Sequence, residues 1–267
     1  MGIEIPRRRI LGILGMAAVV AAGASTGLIT LVGGCTGGTD EQAVKQGVMD
    51  AYDVTPKQIR PVDPNKKSLI YIFDSSGSMD ESLKGVRKID SAKQAMKSAL
   101  LKCKKHDDNF HDLEVGVLYF PNGNVECLIP LSRFNYDLIM SQVNKLDSYE
   151  GTPLGIGLAY GERMLDANAS GKRSIILLTD GENTVGREPD IVWKSIIDAN
   201  RKYNDYPTKL YVIPFNTEMG YFNGLKQLGA VITEAKEGKQ LEKILVTDTD
   251  KVLLEAPLPT GEIPVFK

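Results

Sequence analysis

Five short apolar runs, each of strand length and each continuous rather than alternating, constrain this chain more than any other feature: residues 68–73, 113–120, 174–179, 209–215 and 230–234. A strand that is apolar at nearly every position has both faces buried, as happens when helices cover a parallel sheet on both sides. The intervening stretches carry the complementary pattern. Ile89, Ala92, Met96, Ala99, Leu100 and Cys103 fall on one helical stripe; Tyr136, Met140, Val143 and Leu146 make another. Leu154, Leu158, Gly161 and Leu165 form a third, and Val192, Ile196, Ala199 and Tyr203 a fourth. Shorter helices are expected over residues 221–228 and 240–245. A sixth strand, 125–131, follows 113–120 after only Pro121-Asn122-Gly123-Asn124. So short a link allows a hairpin and no crossover, so this strand runs antiparallel at the sheet edge. The expected fold is α/β: doubly wound, with a mostly parallel six-stranded sheet, one antiparallel edge strand and helices on both faces.

The residues before this pattern have a different character. Arg7, Arg8 and Arg9 precede an uncharged stretch, 10–34, rich in Ala, Gly, Ile, Leu and Val, which ends at Val32-Gly33-Gly34-Cys35. A basic start, an apolar run and small residues before a cysteine read as an export signal over residues 1–34, and the ending resembles the bacterial lipobox. That resemblance implies cleavage before Cys35, lipidation of its thiol with palmitate-type chains, and a location on the exported face of a cell membrane or outer membrane. Arg-Arg-Arg-Ile-Leu also resembles a twin-arginine signal, and both export routes stay open. The competing reading is an uncleaved membrane helix, against which the glycines and the cysteine's position count. Residues 35–66 run from Cys35 into Thr36-Gly37-Gly38-Thr39-Asp40 and include Pro56, Pro61 and Pro64, as in a tether with one short helix near 41–52. The domain is expected over 67–250 and a proline-containing tail over 251–267.

Charge narrows the partner class. The formal net charge of −2 comes with no run of Lys and Arg interleaved with aromatics, so nucleic acid is not an expected partner. Without Glu4 and the three arginines, 29 basic and 33 acidic residues remain, a mildly acidic exported part.

The first apolar run leads directly into Asp74-Ser75-Ser76-Gly77-Ser78-Met79. In an open parallel sheet this is the carboxyl edge, where ligands bind. Side chains 74, 76 and 78 can share a direction as the chain leaves the strand, and Gly77 lets the backbone bend. The strand 174–179 ends in Asp180-Gly181-Glu182, and Glu150-Gly151-Thr152-Pro153-Leu154 opens a helix between the two. Two carboxylates and three hydroxyls suit a hard cation: Mg2+, with Mn2+ or Ca2+ as alternatives and zinc disfavoured. Taken singly, each motif also reads as a turn with local side-chain hydrogen bonds.

In this order, Asp-x-Ser-x-Ser after the first strand, a Thr before a mid-chain helix and Thr-Asp-Gly after a later strand resemble the metal-ion-dependent adhesion site of von Willebrand factor type A domains. The resemblance covers roughly residues 67–245 and implies a Rossmann-like fold. It further implies that Ser76, Ser78 and Thr152 touch the metal while Asp74 and Asp180 bind it directly or through water. A protein partner would then supply an Asp or Glu carboxylate to the remaining position. The expected function is a membrane-anchored, divalent-metal-dependent protein-binding module for adhesion or scaffolding, not an enzyme. The alternative is an accessory or assembly subunit of a larger membrane or surface complex. A Mg-dependent aspartate phosphatase would instead show Asp-x-Asp where this chain has Ser76, and no lysine and acid pair accompanies Asp74 in a comparable motif.

Other candidates read as structural. Glu150, Glu182 and Asp80 beside the motifs are expected to be solvated. His106 and His111 flank Asp107 and Asp108 in a hydrophilic stretch, 104–112, expected to be a solvated loop rather than a metal site. Trp193 is expected to pack at a helix edge. Cys103 and Cys127 are expected to lie too far apart to bridge and to be two buried thiols.

Overall fold

The computed structural model describes residues 63–202 and 206–256; the export signal, Cys35, most of the tether, Tyr203 and the end of the tail lie outside them. Every apolar run identified above lies on a strand. These are β1 (Lys67–Phe73), β4 (Leu113–Tyr119), β5 (Glu126–Arg133), β6 (Lys172–Thr179), β7 (Lys209–Pro214) and β8 (Val231–Ile232), with a small hairpin of β2 (Ser82–Leu83) and β3 (Val86–Arg87) set apart. The six-stranded sheet has the order β5-β4-β1-β6-β7-β8. All its pairings are parallel except β4 with β5, which is antiparallel and interrupted by register shifts. The hairpin link between those two strands places Asn122 and Gly123 at φ of 50° and 72°, the left-handed pair that an Asn-Gly turn supplies.

The helices are α1 (Lys88–Phe110), α2 (Tyr136–Val143), α3 (Leu154–Asn168), α4 (Pro189–Lys202), α5 (Asn223–Gln227) and α6 (Gly238–Leu253). Alternation along β1 divides the core in two. Leu69, Tyr71 and Phe73 pack with Ile89, Met96 and Leu100 of α1, Val143 of α2 and Leu241 and Leu245 of α6. Ile70 and Ile72 point the other way, to Leu158 and Leu165 of α3, Val192, Trp193 and Ile196 of α4 and Leu225 of α5. Helices therefore cover both faces, as the continuous apolar runs require. Among the described residues no helix is long and apolar enough to cross a membrane.

Five expectations are corrected. The stretch 104–112 is not a loop, because α1 continues to Phe110 and ends at His111, whose φ is 52°. His106 is not solvated: its side chain is 11% exposed and its Nε2 lies 2.7 Å from Asp112 Oδ1. The pair of buried free thiols is half right. Cys103 is free and buried, with its sulfur 3.6 Å from the Tyr71 hydroxyl. Cys127 is only half-buried and is not a free thiol. The 240–245 helix is also longer than expected, running on past residue 250 to Leu253, and Trp193 is fully inside the core.

Candidate metal centre

Strand order fixes where a ligand can sit. From β1 the chain winds outward through β4 and β5, then returns to the other side of β1 with β6, β7 and β8. The crevice at this reversal lies beyond the carboxyl ends of β1 and β6, and the residues next along the chain there are Asp74 and Asp180. Both carboxylates are buried, Asp74 completely.

The turn after β1 is built to present alternate side chains. Ser75 points away from the site and pins the turn to β4: its hydroxyl donates to the Phe120 carbonyl at 3.0 Å and accepts from the Phe120 N–H at 3.2 Å. Met79, fully buried, anchors a short 3-10 turn over Gly77–Asp80. Between these anchors, Asp74 Oδ1 accepts the Ser76 N–H at 2.8 Å, and Ser76 and Ser78 hydroxyl oxygens stand 3.1 Å apart. Ser78 donates to Asp180 Oδ1 at 2.6 Å, and Ser76 reaches the same oxygen at 3.5 Å.

Thr152 enters from the loop before α3. Gly151, at φ 82°, packs so tightly on the Gly123 backbone that a side-chain carbon placed on Gly151 would lie 2.7 Å from the Gly123 Cα. The Thr152 N–H donates to the Thr184 hydroxyl at 2.8 Å and the Thr184 N–H to the Thr152 carbonyl at 3.0 Å, tying this loop to the one after β6. A side-chain carbon placed on Gly181 would lie 3.8 Å from both Ser78 Oγ and Thr152 Oγ1, so both hydroxyls lie beside that glycine. All five expected residues, Asp74, Ser76, Ser78, Thr152 and Asp180, thus surround one crevice. Ser78 is the most exposed of them and marks its opening.

Three further residues belong to the site. Thr179 donates to Asp74 Oδ2 at 2.5 Å, and Thr184 positions Thr152. Lys88, at the start of α1, places its Nζ 2.9 Å from Asp180 Oδ2 and 2.6 Å from Glu81 Oε2; its side chain is only 4% exposed. Of the acidic neighbours, Asp80 pairs with Arg87, and Glu182 is exposed.

Electrostatics follow from this packing. Burial pushes the Asp74 carboxyl up to about 6, and repulsion from Asp180 adds to it, against the hydrogen bonds from Thr179 and Ser76. Burial pulls the Lys88 ammonium down, but the carboxylates of Glu81 and Asp180 outweigh it and the net direction is up. Asp74, Asp180 and Lys88 together leave a net negative charge in a crevice lined by hydroxyls. A hard dication fits this donor set: it would relieve the repulsion raising Asp74, and Ser76, Ser78 and Thr152 would add oxygen donors without adding charge. Among the described residues no three His, Cys, Asp or Glu side chains are grouped to hold a metal ion, so a cation here must depend on the hydroxyls.

Comparison with known proteins gives the family. Residues 69–182 match the profile of the von Willebrand factor type A domain. The protein YwmD of Bacillus subtilis (strain 168), itself uncharacterized, is 31% identical over 167 residues, 58% of this chain and 71% of YwmD. The chain belongs to the von Willebrand factor type A family. Solved structures share the fold. The pilus adhesin SpaC from Lactobacillus rhamnosus GG superposes with a TM-score of 0.54 at 16% identity over 74% of this chain. The PilB minor pilin from Streptococcus sanguinis does so with a TM-score of 0.56 at 15% identity, over 76% of this chain and 65% of PilB. This chain spans about a third of the length of SpaC, covering 31% of it.

Proposed function

We propose that this type A domain is a non-enzymatic, divalent-metal-dependent protein-binding module, held on the exported face of a bacterial membrane by lipid on Cys35. The observation that carries the reading is the convergence of two buried carboxylates and three hydroxyls at the reversal of the sheet, open to solvent at Ser78. Ser76, Ser78 and Thr152 would hold Mg2+, or Mn2+ or Ca2+ in its place, with Asp74 and Asp180 bound to it directly or through water. When bound, the cation would supply an electrophile for a partner's Asp or Glu carboxylate. The chain's own part is to fix the donors: Ser75 and Met79 set the first turn, Thr184 the second loop and Thr179 the Asp74 carboxylate.

SpaC is a pilus adhesin and PilB a minor pilin, so adhesion or assembly at the cell surface accords with the relatives. An accessory subunit of a larger membrane complex would use the same site on a neighbouring subunit. The test is a pull-down from membranes by the full chain, with Mg2+ or with a chelator, beside melting curves in both conditions. A ligand bound only to the folded state stabilises by RT ln(1 + [L]/Kd), about 2.7 kcal/mol at a hundredfold Kd. Wild type should gain stability with millimolar Mg2+ or Mn2+, and Asp180→Ala and Thr152→Ala should lose most of that gain. No metal-induced shift in wild type, or capture that persists in chelator, refutes the reading.

A further inference from the structure

Lys88 is the residue of the site that a metal-binding function alone does not explain. It is the first residue of α1, where the helix dipole disfavours a cation, and burying an ammonium is costly unless it is well paired. Its partners are unequal. Glu81 is 66% exposed, whereas the Asp180 side chain is fully buried. Asp180 is therefore shared, with Oδ1 turned to the hydroxyls of Ser78 and Ser76 and Oδ2 held by the ammonium. Two carboxylates would only neutralise a dication, but with Lys88 counted the loaded cluster of Asp74, Asp180, Lys88 and metal carries a surplus positive charge, offset only from the solvent-exposed side by Glu81.

We propose that Lys88 is a built-in counter-charge of the metal centre, loosening its hold on the cation and leaving the loaded site more attractive to an anionic partner. This rests on the metal-binding reading above. The roles a lysine could play here differ in sign. A lysine that merely orients Asp180 would, when lost, let that carboxylate swing away and weaken metal binding. One that competes through its charge would, when lost, tighten it.

The experiment is Mn2+ titration by calorimetry, with melting curves in chelator and in Mn2+, on the full chain in mild detergent. The variants are Lys88→Met, which keeps the length and drops the charge, Lys88→Arg, which keeps the charge, and Glu81→Gln. Lys88→Met should bind Mn2+ about tenfold more tightly, roughly 1.4 kcal/mol. In chelator it should melt below wild type, because Asp180 is left buried without its cation, and its metal-induced shift should be the larger. Lys88→Arg should stay within about threefold of wild type. Glu81→Gln, altered at an exposed position, should bind Mn2+ more weakly, because the ammonium loses a neutralising partner, and that effect should shrink in the Lys88→Met background. An unchanged or weaker Mn2+ affinity in Lys88→Met overturns the proposal. If Lys88→Met does not fold, an unchanged affinity in Glu81→Gln overturns it instead. Absence of Mn2+ binding in wild type removes the metal-binding reading itself and this inference with it, whereas normal binding in wild type with no gain in Lys88→Met removes only the inference.

Discussion

Asp74→Asn should stabilise the metal-free protein. Burial and the neighbouring Asp180 raise the Asp74 carboxyl from 3.8 to about 6. At about 1.4 kcal/mol per unit, keeping Asp74 ionised at pH 7.5 therefore costs the fold about 3 kcal/mol. The sign follows from linkage. A carboxyl raised in the folded state destabilises once it is ionised, so the cost is absent below about pH 3.8, grows as pH rises and is complete above about pH 6. Asparagine resembles the protonated acid in size and hydrogen bonding, with one oxygen to accept and one group to donate. It has to retain the Ser76 N–H and let the Thr179 hydroxyl turn to accept, so the expected gain is the smaller part of that cost, about 1–2 kcal/mol. For a domain of this size each kcal/mol moves the melting temperature by about 2–4 °C. The assay is thermal denaturation in chelator from pH 4 to 7.5. The variant should melt higher at pH 7.5, the gap should close towards pH 4, and millimolar Mg2+ should raise wild type but not the variant. If Asp74→Asn melts below wild type in chelator at pH 7.5, or the gap ignores pH, the repulsion described here does not govern the site.

Other outcomes are expected. Cys35→Ala should abolish palmitate incorporation and release the chain from the membrane fraction. Gly155→Ala should lower stability by about 1–3 kcal/mol and blunt the metal-induced shift, since an added carbon would strike the Arg187 carbonyl and displace the loops carrying Thr152 or Asp180; a wild-type melting curve would refute this. Thr184→Val, which removes the hydroxyl that accepts the Thr152 N–H, should weaken Mn2+ binding in calorimetry while leaving the core intact, and unchanged affinity would show that Thr152 is held by its backbone alone.

Much of this is legible in the sequence alone. The buried strands are apolar at nearly every position, and the site residues follow strand ends or open a helix, so local pattern locates them. What escaped depends on contacts distant in sequence. The stripe of α1 continues beyond Cys103 to Asp107, one turn on, which is buried despite its charge; a polar residue at a core-facing position made the last turns look like a loop. Strand 230–234 is shorter than its apolar run suggests: only Val231–Ile232 pair with β7, and Phe215 meets Ala235 in an isolated bridge. Lys88 reads as the polar start of an amphipathic helix, and no spacing rule ties residue 88 to residue 180. Only the crossover from β1 through α1 and the return to β6 bring them together.

The two margins of the sheet restrict how copies of this domain can join. On one side β5 carries Pro130 and breaks in register, and on the other β8 pairs through only two residues. A proline has no amide hydrogen to offer a neighbour, an irregular ladder does not match a regular one, and a two-residue strand gives an incoming chain little to grip. Growth of the sheet from one molecule into the next is thus disfavoured at both ends. Among the described residues, the surfaces left for joining one copy to the next are loops and helices, where recognition falls to side chains rather than to the backbone.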